Sequence, residues 1–145
     1  MKSKFIKKVL LNNLMKNGVK SVSEKLTLKT VKLIQKRLLN KKLEDIVKLV
    51  IINNSPHVFL KNVKRRKREP LKIPFLLNHV KRISYATKLV INECLSSKSV
   101  SRFSEKMYLE FLNSAKFESN NLKKTEELLK SAFINKKFSN YRWFN

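Results

Sequence analysis

The sequence predicts a mainly α-helical protein, a single domain over residues 1–145 with about six helices (4–17, 22–39, 43–54, 79–95, 100–115 and 122–138) and one projecting two-stranded β-ribbon (57–76). Three observations predict it. Apolar residues recur at three- and four-residue intervals along most of the chain, as they do on helices with one buried face. Only one Gly and three Pro interrupt 145 residues, too few for the turns of a many-stranded fold. One stretch, Lys61 to Lys72, breaks the helical rhythm: it holds seven basic residues against one acid, Glu69.

In chain order, Ile6, Val9, Leu10 and Leu14 form the apolar stripe of the first helix, widened by Phe5 and Leu11, and the lone Gly18 follows as its C-cap. Ser21-Val-Ser-Glu24 has capping-box spacing, in which Ser and Glu satisfy each other's free backbone N–H groups. It opens a second helix bearing Val22, Leu26, Val31, Ile34 and Leu38. The short connection packs these two helices roughly antiparallel. Leu43, Ile46, Val47, Val50 and Ile51 mark the third helix, with Glu44 and Asp45 in its first turn and Asn53-Asn-Ser-Pro56 at its end.

The apolar runs His57-Val-Phe-Leu60 and Ile73-Pro-Phe-Leu-Leu77, on either side of the basic stretch, have the length and the β-branched or aromatic content of paired strands. Pro70 and Pro74 flank the second strand, and proline is excluded from central strands, so the sheet stays two-stranded. Such a ribbon is marginal alone and needs support from the helices. The competing reading is a solvated basic loop, because Asn-Gly or Asp-Gly turn chemistry is missing and runs of like charge resist folding.

From Asn78 a fourth helix carries Val80, Ile83, Thr87, Val90, Ile91 and Cys94 on one face and exposes Lys81 and Arg82. Ser96-Ser-Lys-Ser99 forms a loop and N-cap before a fifth helix with Val100, Phe103, Met107 and Phe111 inward. Asn120-Asn121 closes the next loop. The sixth helix places Leu128, Leu129, Ala132 and Phe133 on its apolar side, with Lys123-Lys124 at its start and Glu126-Glu127 as first-turn acids.

The balance of 34 basic against 10 acidic residues, a net +24, serves no purpose in the stability of an isolated domain and implies a polyanionic partner. Residues 1–42 alone hold thirteen Lys or Arg and a single acid, Glu24. A merely solvated face intersperses acids at helical spacing, yet Lys2, Lys4, Lys7, Lys8, Lys16 and Lys20 are read as lacking such partners. In the ribbon, Arg65, Arg66 and Arg68 add planar forks suited to bidentate phosphate contacts or base stacking. Near the end of the chain, Tyr141-Arg142-Trp143 sets two aromatics around an Arg, either to stack on nucleic acid or to dock on the domain.

No catalytic constellation assembles, and no cofactor is expected. His57 and His79 are far apart in sequence, and one Cys with two distant His lacks the local ligand pairs of a zinc site. Adjacent acids such as Glu44-Asp45 and Glu126-Glu127 diverge by about 100° on a helix and form no acid–base dyad. One glycine rules out a Gly-rich phosphate loop. The single Cys94 precludes a disulfide within the chain, which suits a reducing compartment, and apolar runs of four or five residues fall far short of a membrane span. The Lys-rich, nearly Arg-free N-terminus reads as mature structure rather than a presequence. Heavy use of Lys, Asn, Ile and Phe beside one Gly suggests an A/T-rich coding sequence such as an organellar genome.

Several stretches resemble the family of small ribosomal subunit protein seven, bacterial and organellar type. Leu14-Met-Lys-Asn-Gly-Val-Lys-Ser-Val-Ser-Glu24 is similar to the end of its first helix and the start of its second. Leu43-Glu44, Asn54-Ser-Pro-His-Val58, Ile73-Pro74, Val80-Lys-Arg82, Ala86, Lys98-Ser99, Lys123-Lys124 with Glu126, Asn135, Phe138 and Tyr141-Arg-Trp143 follow in the family's order from about Lys4 to Trp143. The resemblance implies six helices and a β-ribbon. It also implies a structural protein that binds the 3′ major domain of small-subunit rRNA, organises the subunit head among neighbouring head proteins, and lies near the exit-site tRNA and mRNA. A mitochondrial ribosome is the expected setting.

On that pattern the RNA-binding candidates are Lys2, Lys4, Lys7, Lys8, Lys16, Lys20, Lys61, Lys64, Arg65, Arg66, Lys67, Arg68, Lys72, Lys81, Arg82, Lys98, Lys123, Lys124, Lys136, Lys137, Tyr141, Arg142 and Trp143. Three departures stand out: only Met1-Lys-Ser3 precedes the first helix, the ribbon tip lacks the family's paired glycines, and residues around Lys116 to Asn121 lengthen the loop before the last helix. Two other classes fit parts of the pattern. A basic helical DNA-binding or nucleoid protein fits the charge alone. A membrane-surface protein with basic amphipathic helices would leave its apolar stripes exposed.

Overall fold

A computed structural model describes residues 3–37, 43–65 and 68–140, with the side chains of residues 3, 4, 43, 65 and 68 excepted. The elements are α1 (Ser3–Leu14), α2 (Lys20–Arg37), α3 (Leu43–Asn53), β1 (Val58–Arg65), β2 (Arg68–Leu76), α4 (His79–Ser96), α5 (Phe103–Ala115), α6 (Asn120–Ile134) and a closing 3₁₀ turn (Lys136–Phe138). The fold is thus mainly α with a two-stranded antiparallel ribbon.

α5 is the hub, packing against α2, α3 and α4, while α1 lies across α4 and beside α2. Its Met107, Tyr108 and Phe111 enter one cluster with Leu14, Ile34, Ile46, Val50, Val90, Ile91 and Cys94. A smaller cluster, Ile6, Ile51, Ile83 and Ala86, joins α1, α3 and α4, and Val47 packs against both. Each large side chain buried here contributes about 1.5–3 kcal/mol relative to its exposed state. Asn13 of α1 donates to the Ser84 carbonyl (3.3 Å) and to the Thr87 hydroxyl of α4. Asn53 donates to the Ser114 carbonyl at 2.9 Å, pinning the end of α3 to α5.

Several elements depart from the apolar periodicity. α1 stops at Leu14 rather than 17, because Asn17 (φ 52°) and Gly18 (φ 76°) both take left-handed backbone that a helix cannot continue. Gly18 therefore shapes the α1–α2 turn instead of capping the helix directly. α2 begins at Lys20, which places Ser21 inside the helix and removes the expected capping box. The buried face of α2 is Ser23, Thr27, Thr30 and Ile34, whereas Val22 is exposed. Leu38 lies outside the described residues.

The hydroxyls on that face are buried at low cost because each is locally satisfied. Ser23 donates to the Lys20 carbonyl (2.8 Å), Thr27 to the Glu24 carbonyl (2.8 Å) and Thr30 to the Leu26 carbonyl (3.0 Å). Small side chains then let α2 lie close on α5. Thr30→Leu, which hydrophobic periodicity alone would favour, is expected to destabilise the chain by about 1–3 kcal/mol through overpacking. A denaturant midpoint at or above wild type would show that the face has room to spare.

In α4, Val80 of the first turn is exposed, while Ile83, Thr87, Val90, Ile91 and Cys94 are buried as expected. Val100 precedes α5 and is fully exposed, since that helix starts only at Phe103. α6 opens at Asn120, two residues earlier than expected, because Ser119 is its N-cap and accepts the Asn121 N–H at 3.1 Å. Asn120-Asn121 therefore begins a helix rather than closing a loop, and Glu126-Glu127 lies beyond the first turn. The sixth helical segment also ends at Ile134, four residues short of 138, and a 3₁₀ turn follows. Leu129 and Phe133 are exposed along a groove of about 590 Å³ between α6 and the ribbon root.

The connection from α5 to α6 is organised by Glu110. One of its carboxylate oxygens accepts from Ser119 (2.5 Å), Asn121 (2.8 Å) and Ser114 (3.2 Å). Burial nevertheless holds this carboxyl above its ordinary value of 4.5, helped by the nearby Glu93 and opposed by the three donors. A carboxyl raised in the folded state favours folding at pH below 4.5, and that contribution is lost as pH rises through the folded value. Glu110→Gln keeps an acceptor and removes the charge, so the variant is expected to match or exceed wild-type melting temperature at pH 7. The difference should shrink towards pH 4, where wild-type Glu110 also becomes neutral. A fixed deficit across that range, read by thermal melts, would contradict the burial argument.

The ribbon strands run into the basic stretch rather than stopping at its edges. Pairs run from Val58↔Leu76 through Phe59↔Phe75, Leu60↔Pro74, Lys61↔Ile73, Asn62↔Lys72 and Val63↔Leu71 to Arg65↔Arg68. The register shifts between Val63 and Arg65, leaving an extra residue in β2 beside Pro70. Both prolines thus sit within β2, not at its flanks, and are tolerated because each strand of a two-stranded ribbon is an edge. Ile73 is fully buried, Phe59 meets the Tyr85 ring of α4 edge-on (centroids 5.7 Å, 72°), and α6 with the 3₁₀ turn packs against the root.

Candidate nucleic-acid interface

Supported at its root, the ribbon presents Lys61, Lys64 and Lys72 to solvent from paired strands. A strand holds successive side chains at fixed, alternating positions, so these cations are arrayed at set intervals instead of collapsing onto one another. The side chains of Arg65, Arg66, Lys67 and Arg68 lie outside the described residues, as do Lys2, the Lys4 side chain, Tyr141, Arg142 and Trp143. Lys136 lines the groove beside Val58, Pro74 and Leu76, which brings the 3₁₀ turn to the ribbon root. Next to it Lys137 stands 5.1 Å from the Phe138 ring centroid.

Among the other candidates, Lys81 and Arg82 lie at the start of α4 and Lys98, Lys123 and Lys124 near its far end, about 25 Å away for a helix of that length. At its start, Lys81 is exposed, and α1, with exposed Lys7 and Lys8, packs on the same helix. Arg82 is half-buried: one guanidinium nitrogen donates to Ser55 Oγ at 3.2 Å and lies 3.5 Å from His57 Nε2. It ties α4 to the segment leading into β1, and its Nε is buried without a partner. At the far end stand Lys98, Lys123 and Lys124.

Lys124 pairs with Glu93 at 2.5 Å, and that ammonium, against partial burial, holds the Glu93 carboxyl below its ordinary range. It joins α6 to α4 besides offering charge. Lys16 is exposed in the α1–α2 turn. Lys20, expected to lack an i,i+4 partner, has one: Glu24 lies 3.7 Å away. The exposed lysines of α2, Lys25, Lys29, Lys32 and Lys36, are not among the candidates named from the sequence. Their 4-3-4 spacing was the available signal.

Among the described residues, no group of three His, Cys, Asp or Glu could hold a metal ion, and no helix is long and apolar enough to cross a membrane. The Cys94 thiol is pushed up to about 12, first by burial and then by the charges of Glu110 and Glu93, so it is inert as a nucleophile. What these side chains can do is hold phosphates.

A helical body with an arrayed basic ribbon defines a structural protein for a polyanionic partner. Residues 1–136 match the family described as ribosomal protein S7p/S5e. The chain belongs to that family, and with it is a structural protein of the small ribosomal subunit, not an enzyme. It is 28% identical over 133 residues to small ribosomal subunit protein uS7 of a Nitratiruptor species, covering 92% of this chain and 84% of that protein. It is 27% identical over 133 residues to its counterpart in Syntrophus aciditrophicus, covering 92% and 83%.

Proposed function

We propose that the chain binds the 3′ major domain of small-subunit rRNA, orders the head of the subunit together with neighbouring head proteins, and lies near the exit-site tRNA and mRNA. The observation that carries this reading is the ribbon: Lys61, Lys64 and Lys72 stand exposed on strands whose root is fixed by the buried Ile73 and by Phe59 against Tyr85. Rigid placement suits folded RNA, whose phosphates and 2′-hydroxyls are accessible while its deep-groove base edges are not. Cations at both ends of α4 lengthen the contact beyond the ribbon. The residue usage suggestive of an A/T-rich coding sequence supports a mitochondrial ribosome as the setting.

The test is equilibrium binding of the purified chain to three labelled ligands over a salt series: the 3′ major domain, another rRNA domain and duplex DNA. The reading expects the 3′ major domain to be held most tightly at every salt concentration. Equal competition by duplex DNA would favour a nucleoid protein instead.

A further inference from the structure

We propose that the outer face of α2 is a second phosphate-binding surface, separate from the ribbon, and that through it the chain holds two RNA segments at once. This rests on the reading that the chain binds structured RNA. Lys25, Lys29, Lys32 and Lys36 are all exposed and follow one another at intervals of four, three and four residues. At about 100° per residue they fall within a sector of about 60°, centred about 160° from the buried Ser23, Thr27, Thr30 and Ile34. Those four residues are the ones that turn α2 towards the body, so the lysines point away from it.

Among the described residues, no ion pair engages these lysines. The ion pairs there are Lys20–Glu24, Lys48–Asp45 and Lys124–Glu93, and none uses the α2 stripe. The only acid in α2, Glu24, is the one engaged by Lys20. Like charges at three- and four-residue spacing repel, and a row of phosphates would relieve that repulsion. Along the axis the ammonium groups are set about 4.5–6 Å apart over about 16 Å, a spacing suited to a run of phosphates along one strand. The stripe holds neither Arg nor an aromatic ring, so it would follow the RNA backbone without reading bases.

Position makes this a separate surface. α2 packs on α1, α3 and α5, whereas the ribbon packs on α6, the 3₁₀ turn and, through Phe59 against Tyr85, α4. RNA on the ribbon therefore leaves the α2 face open to a second segment.

The experiment compares the full chain with K25Q/K29Q/K32Q/K36Q and with a ribbon variant, K64Q/R65Q/R66Q/K67Q/R68Q/K72Q, after melting curves confirm that all three fold. Two differently labelled RNA duplexes are mixed with each, and co-capture of both labels is measured across a salt series. Wild type is expected to bridge them. The α2 variant should still bind one duplex but lose most co-capture, and its salt slope should fall by about three to four. On wild type, lysine acetylation at the four α2 positions should drop when RNA is present. Co-capture and acetylation unchanged would overturn the inference alone and leave the stripe to an acidic protein neighbour or to solvent. Failure of wild type to bind RNA at all would overturn the functional reading as well.

Discussion

Replacing Lys64, Arg65, Arg66, Lys67, Arg68 and Lys72 with glutamine is expected to weaken binding to small-subunit rRNA by roughly two to three orders of magnitude at physiological salt. A cation that no longer meets a phosphate no longer displaces its counterion, so the slope of log affinity against log salt should flatten by about one per substituted cation, or about five to six in all. The substitutions leave Phe59, Leu71 and Ile73 in place, and these hold the ribbon through burial and the ring contact with Tyr85. Far-UV circular dichroism should therefore be unchanged. The same experiment separates two uses of the ribbon. Affinity and slope equal to wild type would mean that it points away from rRNA and serves another ligand, such as tRNA.

The second large effect is on stability. Met107 has no exposed surface and sits where α5 meets the main core cluster, so Met107→Ala is expected to cost about 2–5 kcal/mol through lost burial and a residual cavity. For a chain of 145 residues, a cost of about 3 kcal/mol lowers the melting temperature by roughly 10 °C. Leu109, two residues further along the same helix, is about half exposed, and Leu109→Ala should change stability by no more than about 0.5 kcal/mol. Equal losses at the two positions would contradict the placement of α5 as the hub.

The architecture was legible where a single physical rule dominates. Ile46, Val50 and Ile51 in α3 and Ile83, Val90 and Ile91 in α4 are buried at the positions their spacing dictates. Proline and charge marked the ribbon. The rule failed where burial is not apolar: the inner face of α2 is Ser23, Thr27 and Thr30, whose hydroxyls bond to carbonyls of their own helix, so hydrophobic periodicity chose Val22 instead. It failed again at α6, where Leu129 and Phe133 look like core residues but line an open groove.

Ends of helices were harder to read because they depend on local backbone. Asn17 shares the left-handed turn with Gly18, and Ser119 caps α6 ahead of two asparagines that resemble a loop. The candidate interface was legible in composition, since charge excess survives any error in element boundaries. Its geometry was not. Arg82 and Lys124 proved to be engaged with Ser55 and Glu93, and no spacing rule connects residues that far apart in sequence.

The central claim is that this chain is a built-in part of the small subunit, held there by RNA. The most direct test is to sediment native lysate through a high-salt gradient, tracking the chain and small-subunit rRNA before and after ribonuclease treatment. A polycation attached loosely to six or more phosphates loses orders of magnitude in affinity over a few-fold rise in salt. The account predicts that the chain stays with the subunit at high salt and leaves only when the RNA is cut. Release as free protein at high salt with the RNA intact, or movement with DNA or membrane, would contradict it.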